Sequence, residues 1–470
     1  MTRPALVLAC LVAVVPAPLG LSGQTTSPAT PREPAPSADA EQAYGLRAVS
    51  SHVHGTAVAV ALRLPAGSQD DREGLEGTAW LLAHVLEDQA ARALEPSDAV
   101  LRAAPGRAST VFTLLALPDE WEAAWAKVDS VLFAAPVDSA YVAARKAEIL
   151  DNLRFERGSP VRDFEREAAG MLGEPGSPFV RPPRGTEASV AKVTAGSLES
   201  YRRSFYRREA AAQAVVGPVE PTMFEEPAAP TDSAASADVA PDSVAPHPSL
   251  ASPDSMRPDT SLAAPDSLRT DMSLAAPDSA TGAGERAWSV GRRVAQVSDV
   301  TSAWVSVDYP APRALPRTQL ELVAHLLEEE LDPTPPDPDR YDVDVRIVDA
   351  PGGPVLVVEA TVFPEAAGRW EARILDALAQ IRDNPMPEDF FSWRRRRFRT
   401  ARLLEEAAPE KEAARMTADL LRTGRVRDLP MEIWSLDAAT LQRAARVLGE
   451  PRIFILGPDL GQNGSGRSGR

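Results

Sequence analysis

Apolar residues in this chain recur with two periods, and the pattern runs through twice. From Gly45 to Pro65 polar and apolar positions alternate, with Val58, Val60, Leu62 and Leu64 on one side. That spacing predicts a strand with one buried face. Asp71 to Leu94 switches to helical spacing, with Leu75, Ala79, Leu82, Val85 and Leu86 on a single stripe. Arg107 to Leu117 reads as a strand, and Trp121–Phe133, Tyr141–Phe155 and Val161–Leu172 as three helices. A Pro/Gly loop over 173–185 follows, then a helix near Ser197–Phe205 and a strand over Ala211–Val216.

The second passage begins with strands at Trp288–Val297 and Ala303–Tyr309 and a helix at Arg317–Leu331. Strands at Tyr341–Val348 and Val355–Phe363 flank the turn signal Ala350-Pro351-Gly352-Gly353. Helices at Ala366–Ile381, Pro387–Glu406, Pro409–Leu421 and Ala438–Leu448 precede a closing strand at Arg452–Leu456. Both passages give strands, a helix, a strand, three helices, a short helix and a closing strand. This predicts an α+β fold of two duplicated domains, 42–219 and 286–458, each an antiparallel sheet covered by helices on one side.

Composition changes the picture at the ends and in the middle. Arg3, the apolar run from Ala5 to Val15 and the small residues from Pro16 to Gly23 predict a secretory signal over 1–23, with cleavage after Gly20 to Gly23. An uncleaved anchor is the alternative. Leu6 to Cys10 is similar to a lipoprotein box but comes too early, with apolar core still following. Cys10 is the only cysteine, so the mature chain has no thiol chemistry, and a periplasmic or extracellular location is expected. No later run is long and apolar enough to span a bilayer.

Residues 24–41 form a Pro/Ala/Ser-rich leader, and 459–470 a Gly/Ser/Arg tail, both expected to be disordered. Residues 220–285 contain three Ser-Leu-Ala-x-Pro-Asp-Ser copies that start at Ser249, Ser261 and Ser273. Such Pro/Ala/Ser/Asp composition cannot bury enough surface to offset ordering entropy, so a long disordered linker is expected. At about 5–6 Å times the square root of its length, it would span about 45 Å. About ten of the net 17 negative charges fall in this segment. The acidity is therefore mainly a linker property, and no basic surplus exists for nucleic acid.

Several short stretches carry the candidate chemistry. Leu64-Pro65-Ala66-Gly67-Ser68 ends a strand ahead of a helix, and Gly77-Thr78-Ala79-Trp80-Leu81-Leu82-Ala83-His84 opens that helix. Pro178-Phe179 precedes Arg184-Gly185-Thr186, and Tyr201 to Tyr206 precedes Ala214-Val215-Val216-Gly217. Met386-Pro387-Glu388-Asp389-Phe390 opens a long Arg-rich helix. In this order the stretches resemble the M16 zinc peptidases, the family of insulinase and the mitochondrial processing peptidase. The resemblance implies two homologous domains and, in active members, an H-x-x-E-H helix. There two His bind zinc, the Glu activates water, and a Glu on a later helix completes the site.

This sequence departs from that pattern at the decisive positions. Trp80 stands at the first ligand position, and indole offers only an N–H donor. Ala83 stands at the base position and moves no proton; His84 alone remains. Asn152 best matches the distant Glu, with Glu148 and Glu156 offset from it. Zinc is expected of the family, but its ligands are missing here, so no catalytic residue, metal or cofactor is expected. The resemblance implies an inactive subunit that pairs as a heterodimer with an active M16 peptidase. A stand-alone peptide-binding or scaffold protein and a peptidase with a relocated metal site remain alternatives.

Other candidates give weaker signals. His325-Leu326-Leu327-Glu328-Glu329 resembles the motif superficially but lacks a second His and reads as a solvated acidic face. A metal site of His52, His54 and His84 is a further possibility. Arg394 to Arg397 is expected to pair with Glu405, Glu406 and nearby acids. No G-x-S-x-G, phosphate loop or dinucleotide fingerprint occurs.

Overall fold

The computed structural model describes residues 44–52, 55–173, 176–220, 291–298, 300–333 and 337–458. All of them belong to one compact unit that begins at Ala43. The expected signal, leader and tail, and 221–285 of the expected linker, lie outside the described residues, as does His54. Residues 44–220 are called the first half here, and 291–458 the second.

The first half contains β1 (Leu46–Ser51), β2 (Val58–Leu64), α1 (Thr78–Leu94), β3 (Val100–Pro105) and β4 (Thr110–Ala116). It continues with α2 (Trp121–Phe133), α3 (Ser139–Phe155), α4 (Pro160–Met171), α5 (Glu187–Lys192), α6 (Ala195–Phe205) and β5 (Ala212–Gly217). The second half contains β6 (Arg292–Gln296), β7 (Ala303–Pro310), α7 (Arg317–Leu331), β8 (Arg340–Ala350) and β9 (Gly353–Val362). Then come α8 (Ala367–Asp383), α9 (Glu388–Glu405), α10 (Pro409–Thr423), α11 (Leu429–Trp434), α12 (Ala438–Arg446) and β10 (Arg452–Gly457).

The two sheets have the same plan. Their strand orders are β1-β5-β2-β4-β3 and β6-β10-β7-β9-β8. Thus the duplication expected from the pattern is a duplication of topology. One expectation needs correction: the sheets are mixed. β1 pairs with β5, and β6 with β10, in parallel, while the other pairings are antiparallel. The chain leaves each edge strand and returns to its side only at the end of the half, so both strands of that pair run the same way.

The first core packs α1, α2 and α6 on one face of the first sheet, with Leu62, Leu64, Leu82, Leu86, Phe112 and Leu114 fully buried. The second core repeats this around α7, α8 and α12, with Trp370, Phe391 and Phe398.

The opposite face of each sheet is also covered, and the cover comes from the other half. α4 brings Phe164, Ala168 and Met171 against Phe454 and Leu456 of the second sheet. α10 brings Ala413 and Met416 against Ala59, Ala61, Ala214 and Val216 of the first. All seven residues of β2 and all six of β5 are consequently buried. This overturns the reading of Gly45 to Pro65 as one strand with one buried face: the stretch forms two strands, β1 and β2, and β2 is covered on both sides. Central strands with both faces covered show no alternation of burial.

Candidate functional site

α1 begins later than its periodicity suggests, because the chain before it serves as a cap. The Asp71 carboxylate accepts the backbone N–H groups of Gly77 and Ala79 at 2.7 and 2.8 Å. A carboxylate at a helix N-terminus satisfies otherwise orphaned donors. Burial pushes the Asp71 carboxyl up to about 7, and the two N–H bonds oppose that rise.

Two glycines then bring a distant loop onto this helix end. Gly77 has φ 93°, and a Cβ there would lie 2.6 Å from the Arg184 carbonyl oxygen. Gly185 has φ 74°, and its Cβ would lie 2.1 Å from the Glu76 oxygen. Only glycine permits both the left-handed backbone and so close an approach. Ser189 reinforces the contact, its hydroxyl donating to the Glu76 oxygen at 2.9 Å.

The contact places Arg184 beside Trp80. The guanidinium carbon lies 5.4 Å from the indole centroid, a cation–π distance. On the same helix the Trp80 and His84 rings stand one turn apart, with centroids 4.0 Å apart and planes at 52°. The Nδ1 atom of His84 lies 2.7 Å from a Glu87 carboxylate oxygen. Ala83 is fully buried, and Trp80 and His84 are partly buried.

Of the three residues near the expected distant ligand, Glu156 alone turns inward. Asn152 is exposed on α3, and Glu148 is exposed and paired with Arg145 at 2.9 Å. Glu156, at the end of α3, turns inward. Its carboxylate pairs with buried Arg162 and accepts from Arg184 Nη1 at 3.3 Å. Arg184 therefore bridges Trp80 and Glu156, tying α1 to the end of α3. Sequence reasoning missed Arg184 and Arg162; the only sign of Arg184 was its place before Gly185-Thr186.

This donor set does not fit a zinc ion. Indole and methyl groups supply no lone pair, the one imidazole has Nδ1 at a carboxylate, and Glu156 is held by two guanidiniums. Among the described residues, no three His, Cys, Asp or Glu side chains cluster as a metal site requires. What the arrangement provides is packing: an aromatic pair under a cation, at the mouth of a helix.

The remaining candidates separate. His52 meets Glu412 at 2.9 Å, whereas His84 meets Glu87, so the structure gives these two His different partners. His325 is not on a solvated face. It is half-buried against Phe398, with ring centroids 5.3 Å apart, and burial lowers its pKa. The Arg394–Arg397 run departs from its expected pairing. Arg394 and Arg397 bond to Glu329 at 2.5 and 2.8 Å, and Arg395 donates to the carbonyls of Trp434 and Leu436. Glu405 instead takes Arg402, and Glu406 takes Arg415, each at 2.6 Å. Arg394, Arg397 and Arg402 thus reach α7, Arg402 also contacting Glu321 at 3.6 Å, while Arg395 reaches the end of α11.

Comparison with solved structures places the architecture. A protease from Helicobacter pylori superposes with a TM-score of 0.64 at 13% identity, over 88% of this chain and 97% of that one. A peptidase M16 inactive domain from Pseudomonas fluorescens gives 0.63 at 13% identity, over 87% and 94%. The fold is that of the M16 peptidases. The periplasmic protease PqqL from Escherichia coli also matches, at TM-score 0.61 and 11% identity, with 87% of this chain covering 44% of that one. Neither a family sequence model nor a curated protein matches the sequence. At these identities the likeness is one of fold, and it extends both to peptidases and to an inactive domain.

Proposed function

We propose that this chain is a non-peptidase M16 homologue, an inactive subunit that pairs with an active M16 zinc peptidase in the cell envelope. The observation that carries the reading is the filling of the motif. Trp80 lies against His84 and under Arg184, and Ala83 is sealed in the core where a general base would have to reach water. Both a ligand and the base are gone from a fold that is otherwise complete in both halves. Such a molecule keeps shape and surface and gives up chemistry. The composition of residues 1–23 supports export, and no helix among the described residues is long and apolar enough to cross a membrane.

The test is reconstitution. The full chain is purified with and without an M16 peptidase of the same organism that carries an intact H-x-x-E-H motif, and both samples are examined by sedimentation and by peptide hydrolysis. The expected outcome is a one-to-one complex with hydrolysis confined to samples containing the partner. A chain that stays alone at all concentrations, and leaves the partner's activity unchanged, refutes the pairing. If that lone chain nevertheless binds peptide, the stand-alone recognition role takes its place.

A further inference from the structure

The crossing of α10 over the first sheet builds a second site, away from Trp80. A cavity of ≈ 50 Å³ opens there, lined by residues of both halves. That space suits a few waters or one small ion. Its walls carry many guanidiniums, and most have counter-charges. Arg317 bonds to Asp349 at 2.9 Å and to Glu321 at 3.3 Å. Arg427 bonds to Asp419 at 2.8 Å, and Arg402 and Arg415 take Glu405 and Glu406.

Two buried cations are left without such a bond. Arg63, on β2, donates only to neutral groups: the Thr417 hydroxyl at 3.4 Å, the Ser109 hydroxyl at 3.1 Å and the Ala414 carbonyl at 3.2 Å. Arg422, on α10, has a side chain only 6% exposed, and its Nε and Nη1 atoms make no hydrogen bond. Its nearest ion-pair contact is Asp419 Oδ1 at 3.7 Å, and Asp419 already holds Arg415 and Arg427. Burial, then the charge of Arg422, pushes Arg63 down to about 10. Burial, then Arg317 and Arg427, does the same to Arg422. Buried charge held only by neutral groups or by a shared carboxylate is expensive. Glu321, Glu405 and Glu406 also line the cavity but are engaged by Arg317, Arg402 and Arg415, so Arg63 and Arg422 are the guanidiniums left to meet an anion.

We propose that this cavity binds a small oxyanion of the phosphate class, clamped between Arg63 of the first half and Arg422 of the second. Guanidinium donors match oxyanion oxygens in fork geometry. The bound ion would supply the missing counter-charge and fasten α10 to the first sheet. Inorganic phosphate and the end group of a phosphomonoester share this chemistry.

Equilibrium dialysis of the full chain against radiolabelled phosphate, at constant ionic strength, tests the proposal, with glycerol 2-phosphate and sulfate as competitors. The expected result is one saturable phosphate per chain and a thermal midpoint that rises with phosphate concentration. Arg422→Met should weaken binding at least ten-fold, and Arg63→Lys, which keeps the charge, should weaken it less. Glycerol 2-phosphate competing better than free phosphate assigns an ester as the source; equal or weaker competition assigns the ion. No saturable binding to the wild-type chain, or unchanged binding by a folded Arg422→Met chain, overturns the proposal. If Arg422→Met fails to fold, Arg63→Lys decides: undiminished binding overturns it.

Discussion

The two helices that cross between halves hold similar positions and are fitted in opposite ways. α4 meets the second sheet with bulk. Phe164 stacks on Phe454 with centroids 5.7 Å apart and planes at 19°, and Met171 and Trp304 fill around them. α10 meets the first sheet mainly with small residues, Ala413 among Ala59, Ala61 and Ala214 with Met416 beside them, and adds buried charges from Asp419 and its arginines. The first arrangement is held by side-chain volume, the second by close approach and by a buried ionic cluster around Asp419. Duplicated topology thus does not duplicate the way an interface is stabilised.

The comparison makes distinct predictions for each helix. Asp419 is fully buried and bonded to Arg415 and Arg427. Asp419→Ala should therefore cost about 3–5 kcal/mol in denaturant unfolding, because Arg427 loses its shortest carboxylate contact, Arg415 keeps only Glu406 and Arg422 keeps none of its ion-pair contact. A loss below about 1 kcal/mol would show that the cluster near α10 is not what holds it. Phe164→Ala should cost about 3–4 kcal/mol, since it opens a cavity in the bulky interface. The reverse change distinguishes the small-residue contact: Ala413→Leu should destabilise by about 1–3 kcal/mol through overpacking, whereas a neutral result would mean that α10 stands off the sheet.

A separate effect follows from pH. Burial raises the carboxyls of Glu165 on α4 and Asp308 on β7 to about 7 each. Both lie on the α4 side, where Arg346 and Glu359 act on each of them. Between the ordinary carboxylate range and about 7 the folded chain binds protons that the unfolded chain has released. Stability should therefore fall as pH rises across that window, by no more than about 1.4 kcal/mol per pH unit for each group. Thermal unfolding as a function of pH checks the slope, and Asp308→Asn should flatten it.

How much of this was legible in the sequence depended on where the partner of each residue lies. The pattern predicts α2 and α7 to their ends, because their stripes face neighbours within the same half. β2 was read as one-sided because Ala59, Ala61 and Arg63 look like a solvent face; their cover, α10, comes from far along the chain. β3 was missed because little of it is buried, and α5 and α11 because six residues give less than two turns of pattern. The Trp80–Ala83–His84 stripe was legible, since helical phase alone sets those three side by side. The pairing of Arg184 with Glu156 is not legible, because the loop that carries Arg184 is positioned by the contact of Gly77 with Gly185.

The central claim concerns that stripe, and one measurement addresses it most directly: metal content of the purified full-length chain by elemental analysis, paired with chelator-sensitive peptide hydrolysis. A site made of Trp80, Ala83 and His84 predicts zinc well below one per chain and no hydrolysis that a chelator abolishes. One zinc per chain, with hydrolysis lost on chelation and regained on adding zinc, would contradict it.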